Sequence, residues 1–331
     1  YDITNPASPS STGSVAAGAT PTRVAVEGRY AYVADNANPT VTIIDISSPA
    51  NPTSINTVSV GGGPQDIAVR GGYVYVSNGS NALVVVDARQ PEQAKRIHSV
   101  TTGSTIEGMT IQGRYAYAVS QTGQSLYIFD LQDPARPTLV STTAIGGGVW
   151  DIAVQGRYAY LTNNDQTTAI RVYDIANPAT PRFVVTRATS DLNTPSTYGV
   201  TAAGRYLYVP GALGLAVFDI QDPTNPIHAK SHSLGALAYG IALSGRYALT
   251  TIFSQDKLMV IDIGGSETIS MKSSSVEAGF LQVLSDGRIA NQLTVEGGIV
   301  VGRGGIASDG QLSIYATNTT STIFGNLAVG T

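Results

Sequence analysis

Asp66, Glu107 and Asp151, together with Trp150, Tyr198 and Tyr239, stand at one recurring place in this chain. Each lies five or six residues before a glycine that opens a copy of the same short motif. Counting five back from those glycines gives Arg23, Asp66, Gly108, Asp151, Gly199 and Gly240; six back gives Thr22, Gln65, Glu107, Trp150, Tyr198 and Tyr239. Variation at one register inside a strict repeat is where an individual function can sit. Three acids and three aromatic rings gathered there would form an acidic, ring-lined pocket suited to a sugar or a cation. The plainer reading is solvated residues at a channel mouth, with glycines that let neighbouring units pack closely. Both readings stand at this stage.

The elements that must bring these residues together are repeats. GRYAYVAD (28–35) returns as GGYVYVSN (71–78), GRYAYAVS (113–120), GRYAYLTN (156–163), GRYLYVPG (204–211) and GRYALTTI (245–252), at intervals of 41–48 residues. A second motif follows in frame: TIIDISSPANP (42–52), VVVDARQPEQA (84–94), YIFDLQDPARP (127–137), RVYDIANPATP (171–181), AVFDIQDPTNP (216–226) and MVIDIGG (259–265). Repetition at this period marks a modular architecture. Each unit reads as four strands. Arg23–Val26 is short, β-branched and bounded by turn residues. Glu27-Gly28 is expected to form a two-residue turn, because Gly adopts φ > 0 without steric cost. Tyr30 and Tyr32 alternate with Ala31 and Val33, so both faces need cover. Val41–Asp45 ends in an Asp able to cap the following turn, and Ser54–Val60 leads to the return at Gly61–Gly63.

Four short antiparallel strands in about 42 residues make a β-propeller blade. Six units carry both motifs. The sixth can take its outer strand from Gly13–Ala17, which would close the ring. A seven-bladed ring is the competing count, because Gly287 keeps the spacing and Tyr1–Ile3 is a leftover motif end; six is preferred because residues 276–293 lack the Tyr pair.

The segment LVVVDARQP (83–91), with TIIDISSPANP and AVFDIQDPTNP, resembles the LVIVD repeat family, over residues 1–265. That resemblance implies a β-propeller in a secreted or surface-anchored microbial protein, and it transfers no catalytic residue. Residues 266–331 differ. Short β-forming pieces such as GGIVVG and TIFGNLAVG are separated by Gly or Asp-Gly, and the repeat frame dissolves. This part resembles the shafts of phage tail fibres and fibre-like surface proteins. Such a ribbon has no core of its own and is expected to find one in sister chains, as a homotrimer.

Other chemistry finds little support. The absence of cysteine rules out disulfides and thiolate sites. His228 and His232 fall in an expected strand, where four residues span roughly 13 Å, too far for one metal. One carboxylate in Asn163-Asn164-Asp165 is too few for calcium. The repeat arginines, such as Arg29 and Arg114, are expected to pair with turn carbonyls or a neighbouring Asp. A net charge of −4, with 13% charged residues, argues against a nucleic-acid partner. No apolar run is long enough to span a membrane. The chain begins inside a motif, so Tyr1 is not expected to be the natural start. The reading that follows is a non-enzymatic adhesive or structural component of an extracellular, cell-surface or virion fibre, with no cofactor and no metal. Its partners would be further copies of itself and a surface glycan or protein receptor. The alternative is a secreted propeller that binds a carbohydrate or peptide at its channel mouth.

Overall fold

The computed structural model describes residues 2–5, 8–163, 169–188, 197–212, 214–252 and 257–263. They form an all-β propeller of six blades, each an antiparallel sheet in simple up-and-down order. The first blade is β1 (Pro21–Glu27), β2 (Tyr30–Asp35), β3 (Thr40–Asp45) and β4 (Thr53–Ser59). The second is β5 (Pro64–Arg70), β6 (Tyr73–Asn78), β7 (Ala82–Asp87) and β8 (Lys95–Thr101). The third is β9 (Gly108–Gln112), β10 (Tyr115–Ser120), β11 (Ser125–Asp130) and β12 (Thr138–Ala144). The fourth is β13 (Val149–Gln155), β14 (Tyr158–Asn163), β15 (Ile170–Asp174) and β16 (Arg182–Arg187). The fifth is β17 (Thr201–Ala203), β18 (Tyr206–Gly211), β19 (Gly214–Asp219) and β20 (Ile227–Ser233). The sixth has three strands among the described residues: β21 (Ala238–Ser244), β22 (Tyr247–Ile252) and β23 (Lys257–Asp262). The compact unit holding all of these runs from Tyr1 to Ile269. The expected fibre segment, residues 266–331, lies outside the described residues, as do Asn164 and Asp165.

The hairpin turns sit one residue later than the sequence suggests. Glu27 pairs with Tyr30, so the loop is Gly28-Arg29. Gly28 has φ +59° and a Cβ there would touch nothing, so the backbone conformation alone demands glycine. A positive φ at only the first loop position is the pattern of a type II′ turn, whose twist suits the flanking strands. In the second blade both Gly71 and Gly72 have positive φ, the type I′ pattern.

The core lies between blades. Tyr32, Val41 and Ile43 of the first blade pack on Ile67, Val76 and Val84 of the second. Tyr32, Tyr75 and Tyr160, at one register of the first, second and fourth blades, are all at most 2% exposed. Burying each ring contributes on the order of 2–3 kcal/mol. The phenol of Tyr75 keeps a partner by donating to the Pro134 carbonyl at 2.9 Å.

The repeat arginines pair with the Asp that ends the third strand of the same blade, as expected. Arg29 meets Asp45 at 2.8 Å, and Arg114, Arg157, Arg205 and Arg246 meet Asp130, Asp174, Asp219 and Asp262. Each guanidinium also lies over the first tyrosine of its motif, as Arg29 does over Tyr30 at 5.1 Å. Where Gly72 replaces this arginine, Arg89 approaches from the neighbouring turn and bonds Asp87 at 2.7 Å.

Val15 and Ala17 pack against Ala31, Val33 and Ile44 of the first blade. An isolated bridge joins Asp2 to Ser10, at the spacing by which Asp45 meets Thr53. The expectation that Gly13–Ala17 joins the sixth sheet is corrected: these residues take the place of an outer strand on the first blade's face but form no ladder with β23. The seam between first and sixth blades is accordingly the least filled. Val24 and Val26 are 61% and 56% exposed, whereas Ile67, one blade along from Val24, is 6% exposed.

Candidate functional site

In four of the six blades the first strand carries a bulge at the site register; the ladders of the third and fifth blades run on without one. Register shifts fall between Pro21 and Arg23, Pro64 and Asp66, Val149 and Ile152, and Ala238 and Ile241. A bulge inserts one residue and re-aims the side chains around it. A hydroxyl on the second strand receives the backbone N–H at that point: Ser77 Oγ from Asp66 at 2.7 Å, and Thr162 Oγ1 from Asp151 at 3.0 Å. The kink is thereby fixed, and the acids turn towards the middle of the ring.

There a cavity of about 230 Å³ opens, lined by Arg23, Asp66, Thr110, Asp151, Tyr198 and Tyr239 among others. Arg23 Nε lies 3.6 Å from Asp66 Oδ1, and the guanidinium sits 5.8 Å from the centre of the Tyr239 ring. Tyr239 stacks on Tyr198, with centroids 4.8 Å apart and planes 12° from parallel. Trp150 meets Tyr198 edge-on at 5.3 Å. The structure therefore brings five of the six candidate residues together: Asp66, Asp151, Tyr198 and Tyr239 line the cavity, and Trp150 braces it from behind Tyr198. Glu107 does not join them. Its carboxylate turns away to accept the Gln121 N–H at 2.7 Å, in the turn between β10 and β11, and burial raises its pKa.

Both central acids are already bonded. Asp66 accepts from its own neighbour Ile67 at 2.9 Å and, across the seam, from Met109 at 2.6 Å. Asp151 accepts from Ile152 at 2.8 Å and, across the next seam but one, from Val200 at 3.0 Å. They work as staples between first strands of adjacent blades. Burial raises the pKa of Asp66 above the ordinary carboxylate range, against the opposing charge of Arg23. Burial also raises that of Asp151, and the negative charge of Asp66 adds to it.

The glycines at this register fall into two kinds. A Cβ on Gly108 would come within 2.6 Å of Asp151 Cα and of the Trp150 carbonyl, and one on Gly199 within 2.7 Å of the Tyr239 carbonyl. These two permit close blade approach. Gly240 has nothing nearer than 3.6 Å and leaves open space. Sequence reasoning placed Arg23 in the same series but did not count it as a site residue, although it is the cation of the cavity. The signal was its register. Met109 and Thr110, one and two positions beyond Gly108, were not considered because neither carries a charge or a ring.

No curated protein is significantly similar to this chain in sequence. Among solved structures, the fold is similar to a proposed 6-phosphogluconolactonase from Bacteroides uniformis, with 16% identity, 75% of this chain and 82% of that chain covered, and a TM-score of 0.66. It is similar also to a protein from Lactobacillus plantarum, with 16% identity, coverage of 72% and 80%, and a TM-score of 0.64. A third is the Cps50 (Swd1) β-propeller domain of Myceliophteria thermophila, with 12% identity, coverage of 72% and 81%, and a TM-score of 0.59. At these identities the likeness concerns the fold alone. The sequence model of the LVIVD repeat matches residues 19–60, 61–93, 106–144, 146–189, 196–232 and 236–281, one match to each blade. Six matches over most of its length show that the chain belongs to the LVIVD repeat family.

Proposed function

We propose that this protein is a non-enzymatic attachment component of an extracellular, cell-surface or virion fibre. The propeller serves as a rigid head, and residues 266–331 join three copies. The observation that carries the non-enzymatic part is the use of Asp66 and Asp151. Acids able to act as general acid or base in the central cavity are instead held by backbone N–H groups of Met109 and Val200. With one N–H on each oxygen, both carboxylates are fixed in orientation as links between blades, whereas an acid–base role asks for a group placed against the reacting atoms. The mass of the full chain in solution tests the assembly: three chains per particle are expected, and a monomer overturns the fibre reading.

A second reading, carbohydrate binding at the channel mouth, draws on the Tyr198–Tyr239 stack beside the cavity. Aromatic faces hold the C–H surface of a sugar, and Arg23 and Thr110 supply polar partners. Binding on a glycan array should disappear in Tyr239→Ala and in Trp150→Ala; binding unchanged in both removes the site from consideration. The name of the Bacteroides neighbour suggests a third, lactone hydrolysis. Turnover of gluconolactone by the wild-type chain that falls in Arg23→Ala would overturn the non-enzymatic reading.

A further inference from the structure

At the end of the blades away from the Asp66 cavity, the residue before the hairpin glycine bridges to the next blade at three seams. Glu27 bridges the first seam, accepting the N–H groups of Gly71 and Gly72, both at 2.7 Å. Gln112 bridges the third, donating to the Gly156 carbonyl at 2.7 Å. Gln155 bridges the fourth, donating to the Gly204 carbonyl at 2.6 Å. At the second seam the same position is Arg70, which makes no such bridge among the described residues. A cavity of about 430 Å³ opens instead, bounded by Arg70, Tyr73, Tyr75, Leu131 and Pro134.

The chemistry of this groove differs from that of its neighbours. Its walls are mainly apolar: the buried ring of Tyr75 and the buried side chain of Leu131, with the exposed ring of Pro134 at the rim. The Tyr75 hydroxyl donates its proton to the Pro134 carbonyl, so that residue has no donor left for a ligand. Arg114, across the seam, is committed to Asp130 and to Gln132 at 2.7 Å. Arg70 is exposed, and its guanidinium makes no hydrogen bond, ion pair or ring contact among the described residues. A guanidinium presents paired N–H donors that match a carboxylate in two parallel bonds.

We propose that the groove between the second and third blades binds a small carboxylate-bearing ligand with an apolar body. The carboxylate would sit on Arg70 and the body against Tyr73, Tyr75, Leu131 and Pro134. The site is separate from the central cavity and does not rest on the function proposed above.

The test uses the full chain and 3-phenylpropionate as probe, followed by saturation-transfer NMR and titration calorimetry. Saturable binding is expected, weakened at least tenfold when the probe is 3-phenylpropionamide, which lacks the charge. R70Q should also weaken binding at least tenfold. This variant installs the residue that bridges the third and fourth seams, so it is expected to fold with an unchanged or higher melting temperature. R70K should stay within about fivefold of wild type, and Tyr239→Ala should bind as wild type does. Equal binding of acid and amide, unchanged binding in R70Q, or no saturation by 10 mM probe would each overturn the proposal. So would tighter binding of phenyl phosphate than of 3-phenylpropionate. A loss of binding in Tyr239→Ala would overturn it too, by moving the site to the central cavity.

Discussion

Asp66 holds the backbone N–H of Met109 at 2.6 Å, a bond that ties the first strand of the second blade to the first strand of the third. Asp151 repeats the arrangement on Val200, two blades further round. The centre of the ring is thus sewn together by the acids that a search for chemistry would single out.

Their titration should be visible in stability. Both folded-state pKa values are raised above the unfolded value of 3.8, chiefly by burial. A raised carboxylate binds its proton more tightly when folded, so its contribution is fully present below pH 3.8 and is lost as pH rises through the folded-state values. Urea midpoints measured across the acid to neutral range should therefore fall more steeply with rising pH in wild type than in the Asp66→Asn, Asp151→Asn double variant. Parallel profiles would contradict the buried-carboxylate account.

Gly108→Ala should destabilise the fold by about 1–3 kcal/mol, since its Cβ would meet backbone atoms that cannot move aside. Gly240→Ala, at the equivalent place in the sixth blade, should change stability by less than about 0.5 kcal/mol. Denaturant unfolding of the two variants side by side checks the contrast.

Thr162→Val keeps the shape of the side chain and removes its hydroxyl. The N–H of Asp151 then loses the acceptor that stands 3.0 Å away. The expected cost is about 1–3 kcal/mol, read by chemical denaturation. Thr250→Val, in the sixth blade, leaves every N–H with its partner, because that hydroxyl donates to the Gly240 carbonyl. Its cost should be smaller.

Gly28→Ala tests backbone conformation without crowding, because the added methyl would contact nothing at φ +59°. A loss of about 1–2 kcal/mol is expected from the left-handed conformation alone. A neutral result would mean that the turn relaxes to another type.

Much of this fold could be read from the residues. Gly28 and its five counterparts each demanded a positive φ, and the Tyr30/Tyr32 alternation demanded cover on two faces, which only stacked blades provide. The turn register was missed by one residue because pairing of Glu27 with Tyr30 depends on twist across the hairpin, not on the position of glycine. At the site, Asp66, Asp151, Tyr198 and Tyr239 were legible because one register of a repeat must converge on the axis. Glu107 was not, since a side chain at that register can turn outward to a loop N–H such as that of Gln121. Nor could the bonds of the acids to Met109 and Val200 be foreseen: a donor on the next blade has no signature in the residue that carries it.

The exposed pair Val24 and Val26 makes the six blades unequal in persistence. With five interfaces filled by apolar side chains and one left thin, spontaneous opening has a preferred starting line. Amide hydrogens of β1 and β21 should trade with deuterium first. Those of β10 and β14, flanked on both sides by apolar packing, should trade last, so that protection rises with distance around the ring from its weakest join.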